Sequence, residues 1–248
     1  MNWKEHLLCW CTVLRTIRRN YLGKRLEPEC SVLKYFISEG SICFDVGAAQ
    51  GRYTLAMARL AGSGHVYSFE PGDYFYHVLL AIRAFYRLKN VSLIKAACGE
   101  KSGSGYLTIP LKKNKRVGYS LAYLSSLAHN KQMFCQDVKV VALDDFCAEA
   151  GIEKIDFMKC DVEGAELCVF QGARRMIEKS KPVILCELCE DFLGRFNCSL
   201  KQVENFFTAL GYRAYVLSET LIPVERLSRT GNFFFLPEAF SLPETGGR

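Results

Sequence analysis

The sequence predicts an α/β fold: a mostly parallel seven-stranded sheet, helices on both faces, and an antiparallel final strand. Three observations predict it. Apolar runs of strand length alternate with stretches of helical periodicity from Ile42 to Glu187, the order of successive βαβ units with right-handed crossovers. The first run ends in a glycine-bearing turn, Phe44-Asp-Val-Gly-Ala-Ala-Gln-Gly51, which opens into a helical pattern. The last two runs, 212–217 and 232–236, have no helical stretch between them, so one of them opposes the others.

Taken in order, Trp3, Leu7, Trp10, Leu14, Ile17 and Tyr21 recur at alternating steps of four and three, one face of an amphipathic helix. Residues 1–28 are read as this helix and 29–248 as the main domain. Arg15, Arg18 and Arg19 follow the apolar stretch, which is not the order of a secretory signal. The helix is expected to dock on its own domain or to form a homo-oligomer, with peripheral membrane contact as the alternative. Residues 29–39 read as a short helix stopped by Gly40. A strand follows at 42–46, a helix at 52–60, a strand at 65–70, a helix at 74–88 with Asp73 as N-cap, and a strand at 91–97. From 99 to 136 Gly, Ser and Lys are frequent, which predicts short strands and loops that shape substrate access. Alternation resumes at 138–143, and Asp144 or Asp145 is expected to cap the helix that follows. A buried strand at 155–160, a helix at 164–178, a strand at 182–187 and a helix at 200–210 lead into the final two strands.

Composition narrows the class. With 248 residues, 50% of them apolar and 23% charged, the chain holds one sizeable domain. No run approaches the roughly 18 consecutive apolar residues of a membrane span, so a cytoplasmic protein, soluble or peripheral to a membrane, is expected. The net charge of +6 is too small and too dispersed to point to nucleic acid; Lys112 to Arg116 reads as a solvated loop. Several of the twelve cysteines, among them Cys43, Cys160 and Cys186, fall in apolar strands, where free thiols pack as small hydrophobes. Cys186 and Cys189 form a lone pair with no partner at zinc spacing.

The turn after the first strand carries the chemistry. In such sheets a nucleoside sits beyond the strands' carboxyl ends, approached by the first turn's backbone and by an acid ending the second strand. Glu70, followed by Pro71, is that acid. A dinucleotide requires Gly-x-Gly-x-x-Gly so that backbone can approach a pyrophosphate. Counting from Gly47, those places hold Ala49 and Arg52, and the second glycine is Gly51. S-adenosylmethionine fits better, because it has a ribose for Glu70, no phosphate, and positive groups suited to an acid such as Asp45.

The residues then match a family. Phe44-Asp-Val-Gly-Ala-Ala-Gln-Gly-Arg-Tyr-Thr54, Ser68-Phe-Glu-Pro71, Leu143-Asp-Asp-Phe146, Ile155-Asp-Phe-Met-Lys-Cys-Asp-Val-Glu-Gly-Ala-Glu166 and Gln171-Gly-Ala173 resemble the FkbM-type methyltransferases. The resemblance covers about 41–237 and implies a Rossmann-like class I fold with O-methylation of sugars, glycans, polyketides or related small molecules. It departs at Ala49, where the family carries Asn. Expected cofactor positions are Asp45, Gly47, Ala49, Gly51, Tyr53, Glu70, Pro71 and Asp161. Methyl transfer to oxygen needs the acceptor held in line and its proton removed. Asp161, directly after the fourth buried strand, is the first candidate for that work, followed by Glu187 and Glu163; His129 is a further one. Glu166 reads as a helix-terminal acid, and Lys159 as the partner of a buried ion pair. No metal site is expected, and a divalent cation on Asp161 and Glu187 is the less favoured alternative. The nucleoside crevice is complete from Ser41 onward, so the N-terminal helix is expected to be dispensable for it. Rival readings are an RNA methyltransferase and a catalytically silent scaffold.

Overall fold

Burial sorts the strands before topology does. Phe157 to Cys160 and Val183 to Cys186 are buried at every position, as strands covered on both faces must be. The structure, a computed structural model, describes residues 3–21, 27–110, 118–125 and 133–241. In chain order it contains α1 (Trp3–Tyr21), β1 (Ile42–Val46), α2 (Arg52–Ala61), β2 (His65–Phe69), α3 (Asp73–Phe85), β3 (Val91–Ile94) and β4 (Ala97–Cys98). Then come β5 (Gly103–Pro110), β6 (Tyr123–Ser125), β7 (Met133–Val141), α4 (Leu143–Ala150), β8 (Phe157–Cys160), α5 (Glu166–Gln171), α6 (Arg174–Ser180) and β9 (Val183–Leu188). The chain ends with α7 (Glu190–Leu193), α8 (Leu200–Ala209), β10 (Tyr212–Leu217), β11 (Leu221–Val224) and β12 (Gly231–Pro237).

The large sheet runs β11-β10-β12-β9-β8-β1-β2-β3. β1 lies between β8 and β2, parallel to both, so winding changes direction there and a crevice opens at their carboxyl ends. One face packs on α5, α6 and α8 through Val169, Phe170, Ile177 and Phe207. The other packs on α2 through Tyr53, Met57 and Ala58. β12 is antiparallel to both neighbours, β9 and β10. Flanked on both edges, it buries Phe233, Phe234, Phe235 and Leu236 to within 1% of full burial, each burial contributing about 1.5–3 kcal/mol.

Several elements differ from the sequence expectation. An eighth strand, β11, extends the sheet edge; it is short and carries Pro223, which an edge tolerates because no ladder hydrogen bond is required there. The segment 99–136 contributes to a second sheet, β4-β7-β5-β6, whose Gly103 and Gly105 obscure the strand pattern. Residues 29–39 form no α-helix but two 3₁₀ turns. Pro28 supplies no N–H, and the Ser31 hydroxyl donates back to the Pro28 carbonyl at 2.6 Å, competing with helix propagation. The helix expected over 164–178 is two, α5 and α6. A Cβ on Gly172 would lie 2.0 Å from the Gly99 carbonyl oxygen, and the Gly172 carbonyl accepts the Asp144 N–H at 2.7 Å. Asp144 does not cap its own helix, whose N-cap is Ala142. Its carboxylate instead accepts the N–H groups of Arg175 and Met176, both at 2.9 Å, and caps α6. Asp73 likewise begins α3, with Gly72 at the N-cap.

α1 docks on α3, but not by the face the apolar repeat suggested. Cys9, Val13 and Thr16 are buried, Cys9 and Val13 packing with Tyr74, Phe75, Val78 and Ile82, and the Tyr74 hydroxyl donates to the Leu8 carbonyl at 3.1 Å. Leu7, Trp10 and Leu14 remain exposed. All twelve cysteines are free thiols. Among the described residues no helix is long and apolar enough to cross a membrane.

Candidate active site

Backbone chemistry shapes the floor of the crevice. Gly47 has φ +80°, and a Cβ there would stand 1.8 Å from the Asp161 carbonyl oxygen, so only glycine lets the turn after β1 pass the end of β8. Ala49 and Gly51 also have positive φ, 44° and 72°. The left-handed region is several-fold enriched in Asn among non-glycine residues, so an Asn at position 49 would adopt this turn with less strain than Ala49. The turn is held by a side chain from the neighbouring strand. Glu70 Oε2 accepts the Ala49 N–H at 3.0 Å and Oε1 accepts the Gly72 N–H at 2.8 Å. Burial pushes the pKa of Glu70 up to about 7, against the pull of those two bonds. Each carboxylate oxygen offers two lone-pair sites, so capacity remains on the cavity side.

The cavity is lined by Gly47, Ala49, Gln50, Arg52, Glu70, Pro71, Asp161 and Glu163, with an apolar wall of Phe69, Phe75, Ala96, Ala97, Leu107 and Leu124. Three expected cofactor residues, Asp45, Gly51 and Tyr53, are not part of this lining. Asp45 points under α2, where the Thr54 hydroxyl donates to its Oδ2 at 2.5 Å and bonds Ser68 at 3.0 Å. Burial raises its pKa to about 6, opposed by Thr54 and then Lys159. Tyr53 is buried in the core beneath the sheet, its ring 5.3 Å from the Lys159 ammonium. On strand and helix alike, these side chains sit on the face away from the cavity. Gln50 and Arg52 line the cavity instead. Phe75, Leu107, Tyr119 and Leu124 also line it, coming from α3 and from the segment around the second sheet, where no continuous apolar run marks them.

The string after β8 has a physical account. Asp161 is anchored by its N–H to the Val46 carbonyl at 3.0 Å, and Lys159 Nζ lies 3.6 Å from its Oδ2. Lys159 is 2% exposed; burial lowers its pKa, but Asp161 and neighbouring groups outweigh this and hold it raised and charged. Glu163 takes φ 57°, and its Oε2 is buried without a hydrogen-bond partner. A Cβ on Gly164 would stand 2.2 Å from the Phe192 carbonyl oxygen. Glu166 is structural, as expected: its Oε1 accepts the Val162 and Gly164 N–H groups at 3.2 and 3.0 Å and ties the loop to α5.

Asp161, Glu163 and Glu187 form one acidic group. Glu163 is pushed up to about 7, first by burial and then by the charges of Asp161, Glu187 and Glu166. Glu187 reaches solvent and does not line the cavity. The protein around it first and the Asp161 charge second raise its pKa to about 7, and it lies within hydrogen-bonding reach of Asp161. A carboxylate cluster that shares protons near neutrality can accept one from a hydroxyl and pass it to solvent. Among the described residues no cluster of three or more ligating side chains is arranged for a metal ion. His129 lies outside the described residues, as do Lys112 to Arg116. His65 bonds Ser92 and His77 bonds the Asp73 carbonyl, both away from the cavity. α1 reaches the crevice: Thr16 Oγ1 stands 3.5 Å from Gln50 Oε1, and Tyr74, bonded to Thr12 at 2.7 Å, stacks on Tyr119 at 4.1 Å. α1 thus touches Gln50 of the lining without contributing a lining residue of its own, and every lining residue lies after Ser41.

Comparison with known proteins adds three findings. A family model described as the methyltransferase FkbM domain matches residues 45–214. A curated 2-O-methyltransferase, NoeI of Sinorhizobium fredii (strain NBRC 101917 / NGR234), is 43% identical over 44 residues, 18% of each chain. The crystal structure of methyltransferase FkbM from Methylobacillus flagellatus KT is similar with a TM-score of 0.53 at 16% identity, over 81% of this chain and 44% of its own. The chain thus spans less than half the length of that solved structure, and the likeness shows a shared Rossmann-like class I fold.

Proposed function

Because the chain belongs to the FkbM methyltransferase family, we propose that it transfers a methyl group from S-adenosylmethionine to a hydroxyl oxygen of a sugar, glycan or related small molecule. The single observation that carries this reading is one cavity lined both by Glu70 with the Gly47 to Ala49 turn and by Asp161 and Glu163. The residues fit such a cofactor. Glu70 keeps acceptor capacity toward the cavity for two vicinal hydroxyls. The apolar wall from Phe69 to Leu124 suits a flat base, and the turn after β1 has Ala49 where a pyrophosphate-binding turn needs its middle glycine. Asp161 and Glu163 in the same lining suit a cationic sulfur and an ammonium group. Bound there, S-adenosylmethionine supplies an electrophilic methyl group.

The chain's own task is to hold the acceptor oxygen and receive its proton. Asp161 Oδ, with the Lys159 ammonium 3.6 Å away, is the acceptor of that proton, and Glu187 beside it relays the proton outward. Holding reactants in line contributes several kcal/mol, about 7–11 in favourable cases, and general-base help adds roughly 10²–10⁴-fold. Oxygen as the acceptor atom rests on the proton-accepting acids and on the short likeness to a 2-O-methyltransferase. Calorimetry with S-adenosylmethionine and with NAD in turn, followed by transfer of a labelled methyl group into cell extracts, tests the reading. Heat and saturable binding are expected for the first ligand only, with label appearing in carbohydrate or small-molecule fractions. Binding of NAD alone, or label in RNA, would replace this reading with another.

A further inference from the structure

α1 is apolar over a wider arc than the domain covers. Leu7, Leu8, Trp10 and Leu14 stand 58%, 54%, 61% and 63% exposed, although Cys9, Val13 and Thr16 on the opposite side already provide the docking face on α3. Single exposed apolar residues are ordinary, whereas four within about two turns form a patch of the kind that marks an interaction surface. The rest of the exposed side is basic. Arg18 continues the Leu7–Leu14 line one turn further, Arg15 and Arg19 flank it, and all three arginines are exposed. No acidic residue occurs between Leu7 and Arg19.

We infer that α1 docks the protein on an anionic lipid surface, with Leu7, Leu8, Trp10 and Leu14 entering the boundary between headgroups and acyl chains and Arg15, Arg18 and Arg19 pairing with lipid phosphates. The combination of an apolar Leu/Trp stripe, flanking arginines and too little overall hydropathy to span is that of an interfacial helix. Charge decides between this partner and a second copy of the chain. A paired α1 would bring three more arginines and only one acid, Glu5, whereas anionic headgroups neutralise every arginine. The inference does not rest on methyl transfer.

The full chain is tested by co-sedimentation with vesicles of phosphatidylcholine alone and of phosphatidylcholine with phosphatidylserine. Binding is expected to be on the order of 100-fold tighter to the anionic vesicles, from about fivefold for each of the three arginines, and to fall with added salt. The two tryptophans, Trp3 and Trp10, both lie in α1, so a blue shift of intrinsic tryptophan emission on binding reports this helix alone. The Leu7→Ser/Leu14→Ser variant should lose vesicle binding while keeping its melting temperature and cofactor affinity. The Arg15→Gln/Arg18→Gln/Arg19→Gln variant should lose the preference for anionic vesicles. No sedimentation with either vesicle would overturn the inference. So would a serine variant that melts several degrees lower and changes from dimer to monomer on sizing, because the face would then belong to a second copy.

Discussion

At Glu70 two demands meet in one carboxylate: it holds the backbone of Ala49 and Gly72 and faces the cavity. Glu70→Ala removes the hydroxyl acceptor and frees the turn, so S-adenosylmethionine affinity is expected to fall by about 1.5–3 kcal/mol. Calorimetry reads this directly, and an unchanged dissociation constant would refute the assignment. Asp161 is separable from binding. Asp161→Asn keeps the shape and the Val46 contact, so fold and most cofactor affinity should survive while turnover drops by about 10²-fold or more. Near-normal turnover in single-turnover assays would shift proton acceptance to Glu163 or Glu187. These positions were legible in the sequence because their reasons are backbone reasons: a turn that passes another strand end, an acid at a strand terminus. Asp45 and Tyr53 were not, because which face of a strand or helix meets the cavity is decided by packing against α2.

Among the elements, those with an internal signal were legible and those defined by a neighbour were not. The buried strands β8, β9 and β12 carry their own apolar runs, and α8 carries its Ser199 cap, which accepts the Gln202 N–H. The break between α5 and α6 is imposed by Gly99 approaching Gly172, some seventy residues away in the chain. The docked face of α1 was misread for a related reason: both of its faces are apolar, and α3 selects the one with smaller residues. Asp144 gives the measurable consequence. Because it caps α6 from outside, Asp144→Ala should cost about 1–2 kcal/mol of stability, despite lying on a different helix. Asp145→Ala removes only a half-exposed contact, a bond from Ser102 at 2.7 Å, and should stay within about 0.5 kcal/mol. Urea denaturation of the two variants compares them; equal losses would show that the cap on α6 carries no special weight.

For the whole molecule, the candidate site gives stability an inverted pH dependence. Asp45 is raised to about 6, and Glu70, Glu163 and Glu187 to about 7, burial leading in each case. Unfolded, the same groups ionise near about 4. Between those limits the folded state therefore holds more protons than the unfolded chain, and stability must fall as pH rises. The contribution is fully present below the unfolded values and lost as pH climbs through 6 to 7. Glu39, held low by its bond from Ser63, acts below this window. His65, held low by burial and Arg83, opposes the trend with one proton against four. Each group contributes a slope of at most about 1.4 kcal/mol per pH unit, less for the solvent-reaching Glu187. The melting temperature is accordingly expected to be higher at pH 5.5 than at pH 7.5, and Glu163→Gln with Glu187→Gln should flatten that difference. Saturating S-adenosylmethionine should flatten it too, because its positive groups favour the ionised acids that bare protein disfavours. A melting temperature that rises steadily from pH 5.5 to 7.5 would mean that these carboxylates are ionised in the folded protein throughout that range, and that burial does not hold their pKa values up.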